Sequence, residues 1–305
     1  IDNNKKRFRM FHPIMTDDGG IIFSGNLSQL IKVDHCSNLK WQNTDFLFHH
    51  SKEEDNEQNY WVPANIYESK IKKFEKIKEH NILVKIDKSG KTLFKKSLIE
   101  LFIENDLEHY LHGVGFDQSD IFHLNDIQPA NIQSNFWKIG DLFISLRNLS
   151  MIIHFRPSTN KMINLIHGPF FNQHDVDIIN EEEISIFNNN KKLHGVDHTE
   201  IIIYNFKEKK FRKHLNDELK IENVKTRFEG VHTIMPEFET LIESNVDGRM
   251  LYFDENKKLK WQYVNNNNPS RIIYAISWSR ILYDERDLTK VKALEKRKKT
   301  IKCLN

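Results

Sequence analysis

No run of eighteen apolar residues occurs in the 305-residue sequence, so no membrane-spanning helix is predicted. Neither sign of charge is in excess, since 45 Lys and Arg residues stand against 43 Asp and Glu residues. This balance gives no bulk charge that would favour nucleic acid or a membrane surface as a partner. Cysteine is scarce as well. Cys36 and Cys303 do not make a disulfide framework, and CxxC and Cys/His zinc spacings are absent.

What the sequence does contain is a repeated pattern of short strands. Each repeat begins with a His at the head of an apolar run, followed by a turn and three further strands that become more polar. The repeats occupy residues 10–43, 46–97, 122–214 (two copies), 227–265 and, incompletely, 271–286. Periods of roughly 40–50 residues with several strands each are typical of propeller blades. The sequence therefore predicts an all-β, six-bladed β-propeller.

One helix is predicted inside this pattern, at residues 97–112, where apolar residues recur at helical spacing. We expect residues 1–290 to form a single propeller domain, because closing the ring removes exposed sheet edges. Residues 291–305 are rich in Lys and are predicted to be a basic, solvated C-terminal tail.

Two sets of landmarks support the repeat. Their members are the head histidines His12, His50, His123, His174 and His232, and the residues after each third strand, Asp34, Asp87, Arg156, Asn205 and Asp254. Successive intervals are 38, 73, 51 and 58 residues in the first set and 53, 69, 49 and 49 in the second. The long second interval of each set spans the predicted helix. The first residues of inner strands point towards the axis of a propeller, so we expect His50, His123, His174 and His232 to converge on one cavity.

Five motifs resemble the arylsulfotransferase family: HLNDIQ at 123–128, SLRNLS at 145–150, GPFFNQHDVDI at 168–178, IFNNN at 186–190 and DGRMLYFD at 247–254. The resemblance covers nearly the whole chain. It implies a six-bladed propeller that moves a sulfuryl group from an aryl sulfate ester to a phenol through a transient sulfo-histidine. It implies no nucleotide donor and no cofactor. It also suggests a periplasmic or otherwise extracytoplasmic protein. Because the chain starts at Ile1 rather than Met, we expect that an N-terminal segment was processed or trimmed and that any signal segment was lost with it.

The resemblance assigns the catalytic histidines to His123, His174 and His232, with His232 as the nucleophile. The family's arginine lies one strand beyond the second of these histidines, where this sequence has Lys191 and Lys192. The sulfate clamp is therefore transferred to Arg147 or Arg249.

Chemical reasoning agrees with these roles. Sulfuryl transfer needs cationic and N–H donors for the outer oxygens, and a neutral imidazole can attack sulfur. His123 and His174 precede acidic or amide residues, whereas His232 has mainly apolar neighbours in sequence, so we expect His232 to be neutral and nucleophilic. The predicted catalytic set is His232, His174, His123 and Arg147, and the predicted substrate-binding set is His50, Asn125, Asn190 and Arg249. No metal ligand is assigned in this interpretation.

Two other functions fit the same residues. A ring of histidines could hold a divalent metal in a propeller lyase or hydrolase, with Asp126 and Asp175 orienting the ligands. A binding-only propeller is the third possibility, because the arginine expected after IFNNN is missing. We expect small aryl sulfates and phenols as partners under the first hypothesis, and the sequence leaves the oligomeric state open.

Overall fold

The structure is a computed structural model that describes residues 10–66, 80–112, 119–192, 195–267, 272–300 and 303. Antiparallel strands make up most of the regular secondary structure in this part of the chain, so the all-β prediction is confirmed. The strands form five consecutive groups of four within the described residues, here called units one to five. Their bounds are β1 (Phe11–Met15), β2 (Ile21–Ser24), β3 (Ser28–Val33) and β4 (Leu39–Phe48) in unit one; β5 (Glu53–Glu54), β6 (Tyr60–Asn65), β7 (Asn81–Ile86) and β8 (Thr92–Ser97) in unit two; β9 (Leu124–Pro129), β10 (Leu142–Leu146), β11 (Met151–Arg156) and β12 (Lys161–Ile166) in unit three; β13 (Val176–Ile178), β14 (Glu183–Asn188), β17 (Glu200–Asn205) and β18 (Lys210–His214) in unit four; and β19 (Val231–Ile234), β20 (Thr240–Ser244), β21 (Arg249–Phe253) and β22 (Leu259–Val264) in unit five.

Units three, four and five are separate four-stranded sheets. Units one and two are joined, because the end of β4 pairs with β6 through Leu47 opposite Asn65 and Phe48 opposite Ala64. Two small hairpins complete the strands, β15 (Lys191–Lys192) with β16 (Gly195–Val196) and β23 (Asn266–Asn267) with β24 (Ile272–Ile273).

The core lies between successive units. Strand β10 shows the reason. Phe143 faces a hydrophobic cluster shared with unit four, whereas the following residue, Ile144, faces a cluster shared with unit two. Successive residues of a strand point to opposite faces, so an inner sheet buried on both faces is apolar at every position. Similar clusters lie between units one and two and between units four and five. Sheets stacked in this way leave their inner strands side by side around a shared centre.

Three of the five residues in the second set of sequence landmarks share one local physical cause. A carboxylate oxygen of Asp34 accepts hydrogen bonds from the backbone N–H groups of Cys36 and Asn38, both at 2.9 Å. Asp87 and Asp254 make the same pair of bonds in the equivalent turns of units two and five. An aspartate whose side chain replaces a backbone acceptor in this way fixes a tight turn, which explains why it recurs at the same place.

The helix prediction is partly wrong. Helix α1 (Leu98–Glu104) begins where predicted, with the Ser97 side chain accepting a hydrogen bond from the N–H of Glu100. The helix then stops at Asn105, and a separate 3₁₀ helix follows at Glu108–Leu111. Two further α-helices, α2 (Asn216–Ile221) and α3 (Glu285–Thr300), were not predicted as ordered helices inside the domain, and α3 crosses the predicted boundary at residue 290. No helix among the described residues is long and apolar enough to cross a membrane.

The incomplete sixth repeat is not a set of strands. Beyond the short strand β24, residues 274–284 form an irregular segment, so the sixth blade stays a prediction. This segment bridges unit five to unit two. Glu243 accepts a hydrogen bond from the N–H of Trp278, and Arg280 donates to Glu53 at 2.7 Å. Farther on, Lys290 of α3 pairs with Glu54 at 2.7 Å, and a disulfide joins Cys303 to Cys36 of unit one.

Candidate functional site

Three of the predicted histidines come together at one end of the inner strands. The ring centroid of His50 is 5.4 Å from that of His123 and 5.4 Å from that of His174. On its other side, the Nδ1 atom of His50 is 2.7 Å from Nδ1 of His49. We call His50, His123 and His174 the histidine cluster.

Hydrogen bonds between side chains of one unit and backbone N–H groups of the next fix how the inner strands are aligned. In three successive steps, a side chain of one unit accepts the N–H of an inner-strand residue of the next: Ser51 from Ile127, Asp126 from Val176, and Asp175 from His232. His12 accepts from Lys52 in the same manner. These bonds align Lys52, Ile127, Val176 and His232 with one another.

His123 and His232 are therefore not in register with His50 and His174, and the predicted equal register is wrong at both positions. The residues two places before the aligned set are His50, Asn125, His174 and Gly230. Asn125, a predicted substrate-binding residue, thus lies level with two members of the cluster, and its side chain donates to the Gln173 carbonyl at 3.0 Å. Glycine occupies the matching position in unit five.

The backbone at the cluster is strained. His12, His50 and His123 have φ angles of 40°, 47° and 48°, in the left-handed region that residues with a Cβ rarely adopt. Such strain costs about 1–3 kcal/mol per residue and is concentrated at functional sites. Strain at three predicted head histidines supports a functional reading of this end of the molecule.

His123 is held by an acid that the sequence interpretation missed. Its Nδ1 atom is 2.5 Å from a carboxylate oxygen of Asp120, and the other oxygen of Asp120 accepts the His123 backbone N–H at 2.9 Å. The expected partners Asn125 and Asp126 are bonded elsewhere. The His123 side chain is 30% exposed. With Nδ1–H given to Asp120, Nε2 carries the lone pair.

The imidazoles beside His123 are neutral at physiological pH. Burial lowers the pKa of His49 to about 3, and His123 and Lys52 add smaller effects in the same direction. Burial also lowers the pKa of His50 well below its usual value, with His49, His123 and His174 contributing further. Buried groups that are crowded by potential cations favour the uncharged form. His49 and His50 therefore present uncharged imidazoles beside His123.

Arg147, the backbone neighbour of His123, and Lys191 both lie beside one aromatic ring. The Arg147 guanidinium lies 5.7 Å from the centre of the Phe228 ring, and the Lys191 ammonium lies 4.9 Å from the same centre. The backbone N–H of Arg147 donates to the His123 carbonyl at 3.2 Å. Phe228 is 52% exposed, so part of its side chain is accessible. Lys191 thus supplies a cation near the place where the family pattern calls for arginine.

His232 lies in a different environment from the one expected. Its Nδ1 atom is 2.8 Å from Asp175 and its Nε2 atom is 2.7 Å from the hydroxyl of Ser185. Its side chain is 0% exposed. The expectation of apolar surroundings is wrong, because the expected partner of His174, Asp175, bonds to His232 instead. Both ring nitrogens are occupied.

The remaining predicted residues are held away from the cluster by their contacts. Arg249 donates to the carbonyl of Glu222 at 3.0 Å. Asn190 is buried, and its side chain donates to the carbonyl of His198 at 3.1 Å. Asn190 directly precedes Lys191 in the chain. It could therefore influence a ligand at Phe228 only by positioning the backbone of Lys191. Their roles as substrate-binding residues stay predictions.

Several residues at the centre were missed or undervalued. Lys52 is fully buried and donates from Nζ to the His50 carbonyl at 2.9 Å, and its backbone N–H donates to His12. Arg280, which had no better sequence signal than Arg249, donates to Lys52 and Glu53 across more than 220 positions of the chain. Contacts over such separations leave no local pattern in a single sequence.

Two cavities lie farther along the inner strands. A cavity of about 60 Å³ is lined by residues that include His12, Asp175, Asp177, His232 and Arg280. A larger one of about 400 Å³ follows, with walls from the inner strands, residues 280–284 and α3. The histidine cluster is not among the groups of described residues close enough to share a metal ion. The geometry therefore does not favour the ring of metal-bound histidines.

Comparisons with known proteins agree with the resemblance seen in the sequence. A family model described as arylsulfotransferase (ASST) matches residues 12–266. A search of curated proteins gives no match. Similar solved structures include a protein of unknown function from Bacteroides caccae (TM-score 0.57, 11% identity, 84% of this chain and 82% of that chain) and virginiamycin B lyase from Staphylococcus aureus (0.52, 9%, 88% and 74%). An auxiliary nutrient binding protein from Bacteroides ovatus is also similar (0.52, 10%, 87% and 58%). At these identities the likeness shows the fold alone, which is propeller-like.

Proposed function

The chain belongs to the arylsulfotransferase family, and on that premise we propose that it transfers a sulfuryl group from an aryl sulfate ester to a phenol through a sulfo-histidine on His123. Family membership supports arylsulfotransferase activity in general. The observation that carries the finer proposal is the Asp120–His123 pair at 2.5 Å, next to two further histidines and to Arg147.

His123 fits the nucleophile better than His232, which the sequence favoured. Asp120 holds the Nδ1–H of His123, so the Nε2 lone pair is directed outward, and the side chain is accessible. His232 is inaccessible and already accepts a hydrogen bond at Nε2 if Nδ1–H goes to Asp175. Peptide mapping of the covalent adduct separates the two assignments.

The transfer then proceeds in two displacements. Nε2 of His123 attacks sulfur, the bond from sulfur to the aryl oxygen breaks, and a phenolate leaves. A second phenol attacks the sulfur of the sulfo-histidine as a neighbouring neutral imidazole of His50 or His174 takes its proton, and His123 is released. The second step needs an uncharged imidazole, and burial, which lowers the pKa of His50, favours that form. No nucleotide sulfate donor enters this scheme.

Arg147 and Lys191 would bind the outer sulfate oxygens. The charge of the moving group resides on those oxygens, so donors fixed beside them stabilise the transition state. The planar guanidinium of Arg147 can donate hydrogen bonds to two sulfate oxygens at once, and its partial burial strengthens these bonds. The partly exposed ring of Phe228 would stack on the aryl ring of the sulfate donor.

Turnover of a chromogenic aryl sulfate with added phenol tests this proposal. We expect release of the coloured phenol that depends on the acceptor and needs no nucleotide. His123→Ala should remove this turnover, whereas His109→Ala, which changes an exposed histidine, should not. Binding of the aryl sulfate without any turnover would overturn the proposal in favour of a binding-only propeller.

A further inference from the structure

Several carboxyl groups lie close together at the centre of the molecule. Asp175, Asp177 and Asp126 lie together there, as shown by their mutual electrostatic effects. The nearby cation, Arg280, is already engaged with Glu53 at 2.7 Å and with a backbone carbonyl at 2.6 Å. Buried carboxylates are normally paired with cations or bound to a metal.

Two of these acids have oxygens without a partner. Among the described residues, Asp177 makes no hydrogen bond or ion pair, although it faces the cavity of about 60 Å³. One oxygen of Asp126 accepts the N–H of Val176, the residue between Asp175 and Asp177, at 2.9 Å. Its other oxygen is buried, has no hydrogen-bond partner within the described part of the chain and belongs to a residue that is 1% exposed. Buried oxygens of this kind are normally satisfied by water or by an ion.

The third group is an imidazole. One ligand atom from each of Asp175, Asp177 and His232 can be chosen so that all three lie within 4.8 Å of one another. Ser185, at 2.7 Å from Nε2, can accept the Nε2–H of His232. Nδ1 then carries the lone pair on the side of Asp175. A hydrogen bond at the far nitrogen is the usual way in which a metal-binding histidine is oriented.

We propose that Asp175, Asp177 and His232 bind one divalent cation, with Asp126 beside it. Two carboxylates and one imidazole suit Mn²⁺ or Zn²⁺. Asp175 and Asp177 belong to the inner edge of unit four and His232 to β19, so the ion would tie units four and five together. This site is separate from the histidine cluster and does not depend on the proposed sulfuryl transfer.

The test uses the full chain, stripped with a chelator, dialysed and then exposed to Mn²⁺ or Zn²⁺ alone. We expect elemental analysis to find roughly one bound ion per chain and thermal unfolding to shift to higher temperature, because an ion that binds only the folded state stabilises it. Asp177→Asn should weaken binding about tenfold or more. The variant loses no hydrogen bond present in the wild type, so it should fold.

Without metal, Asp177→Asn should unfold at the same temperature as the wild type or higher, because it removes one of the crowded carboxylates. With metal, only the wild type should gain stability. Asp197→Asn, which changes an aspartate whose side chain is 65% exposed, is the matched control and should behave as the wild type. His123→Ala should also retain the ion. The proposal is overturned if the wild type binds no ion, if Asp177→Asn binds it equally well, or if His123→Ala loses it.

Discussion

The pair formed by Asp120 and His123 gives the sharpest prediction about catalysis. Asp120→Asn keeps the size of the side chain and leaves an oxygen that can still accept the His123 backbone N–H. What it removes is the negative charge opposite Nδ1. We expect a folded protein in which His123 is oriented less well and in which the imidazolium-like charge that develops during attack on sulfur is no longer stabilised.

The expected size follows from the burial and distance of this contact. Asp120 is 7% exposed, and its carboxylate is a charged acceptor for the Nδ1–H of His123, so the contact is a charge-assisted hydrogen bond. Such bonds contribute about 1.5–3 kcal/mol. If the contribution is made mainly in the transition state, kcat falls roughly 10- to 150-fold. KM for the aryl sulfate should change less than kcat, because Asp120 is not one of the groups proposed to bind the sulfate oxygens.

A second buried pair supplies the control. Asp141 lies 2.8 Å from Nε2 of His154 inside unit three, where neither residue faces the histidine cluster. Asp141→Asn should therefore lower stability and leave kcat unchanged. The assay is steady-state release of the coloured phenol, with the melting temperature measured for each variant. The reasoning is refuted if Asp120→Asn retains full kcat or if Asp141→Asn loses as much activity.

Acid should destabilise the protein through His49. Its pKa is about 3 in the folded chain and about 6.5 when unfolded, so stability is complete above pH 6.5 and falls below it, by about 2 kcal/mol at pH 5. Denaturant unfolding at the two pH values checks this, and a His49→Gln variant with an unchanged pH dependence would contradict it. Glu54→Ala should lower the free energy of unfolding by about 3 kcal/mol, since it leaves Lys290 buried without its partner; an unchanged denaturation midpoint would show that α3 is not anchored there. Arg147→Met should lower kcat/KM about 10- to 100-fold through loss of the sulfate clamp, whereas Arg212→Met, a comparable arginine beside an aromatic ring, should not; equal losses would exclude a specific clamp.

The strands and turns could be predicted because their causes are local. Alternating apolar residues fix the strands, and an aspartate that bonds to the N–H groups two and four positions later fixes the turn, as at Asp34 and Asp254. The helix at 97–112 was predicted too long, because apolar spacing does not show where Asn105 ends it. Periodicity also could not distinguish an irregular connection from strands in residues 274–284.

The candidate site was only partly predictable for a related reason. His50, His123 and His174 were found from the repeat, but the position of His232 depends on which backbone N–H each neighbouring unit binds. Asp120 was within reach of sequence reasoning, since it precedes His123 by only three residues. The contacts of Phe228 with Arg147 and Lys191 were not, because they join different units and no local spacing encodes them.

The measurement that tests the central claim most directly is the mass of the intact protein after mixing with an aryl sulfate donor and no acceptor. We predict one added sulfuryl group, located on His123 by peptide mapping and lost when a phenol is added. A sulfuryl group on His232 or His174 would contradict the assignment of the nucleophile. Turnover without any covalent adduct would contradict the two-step mechanism itself.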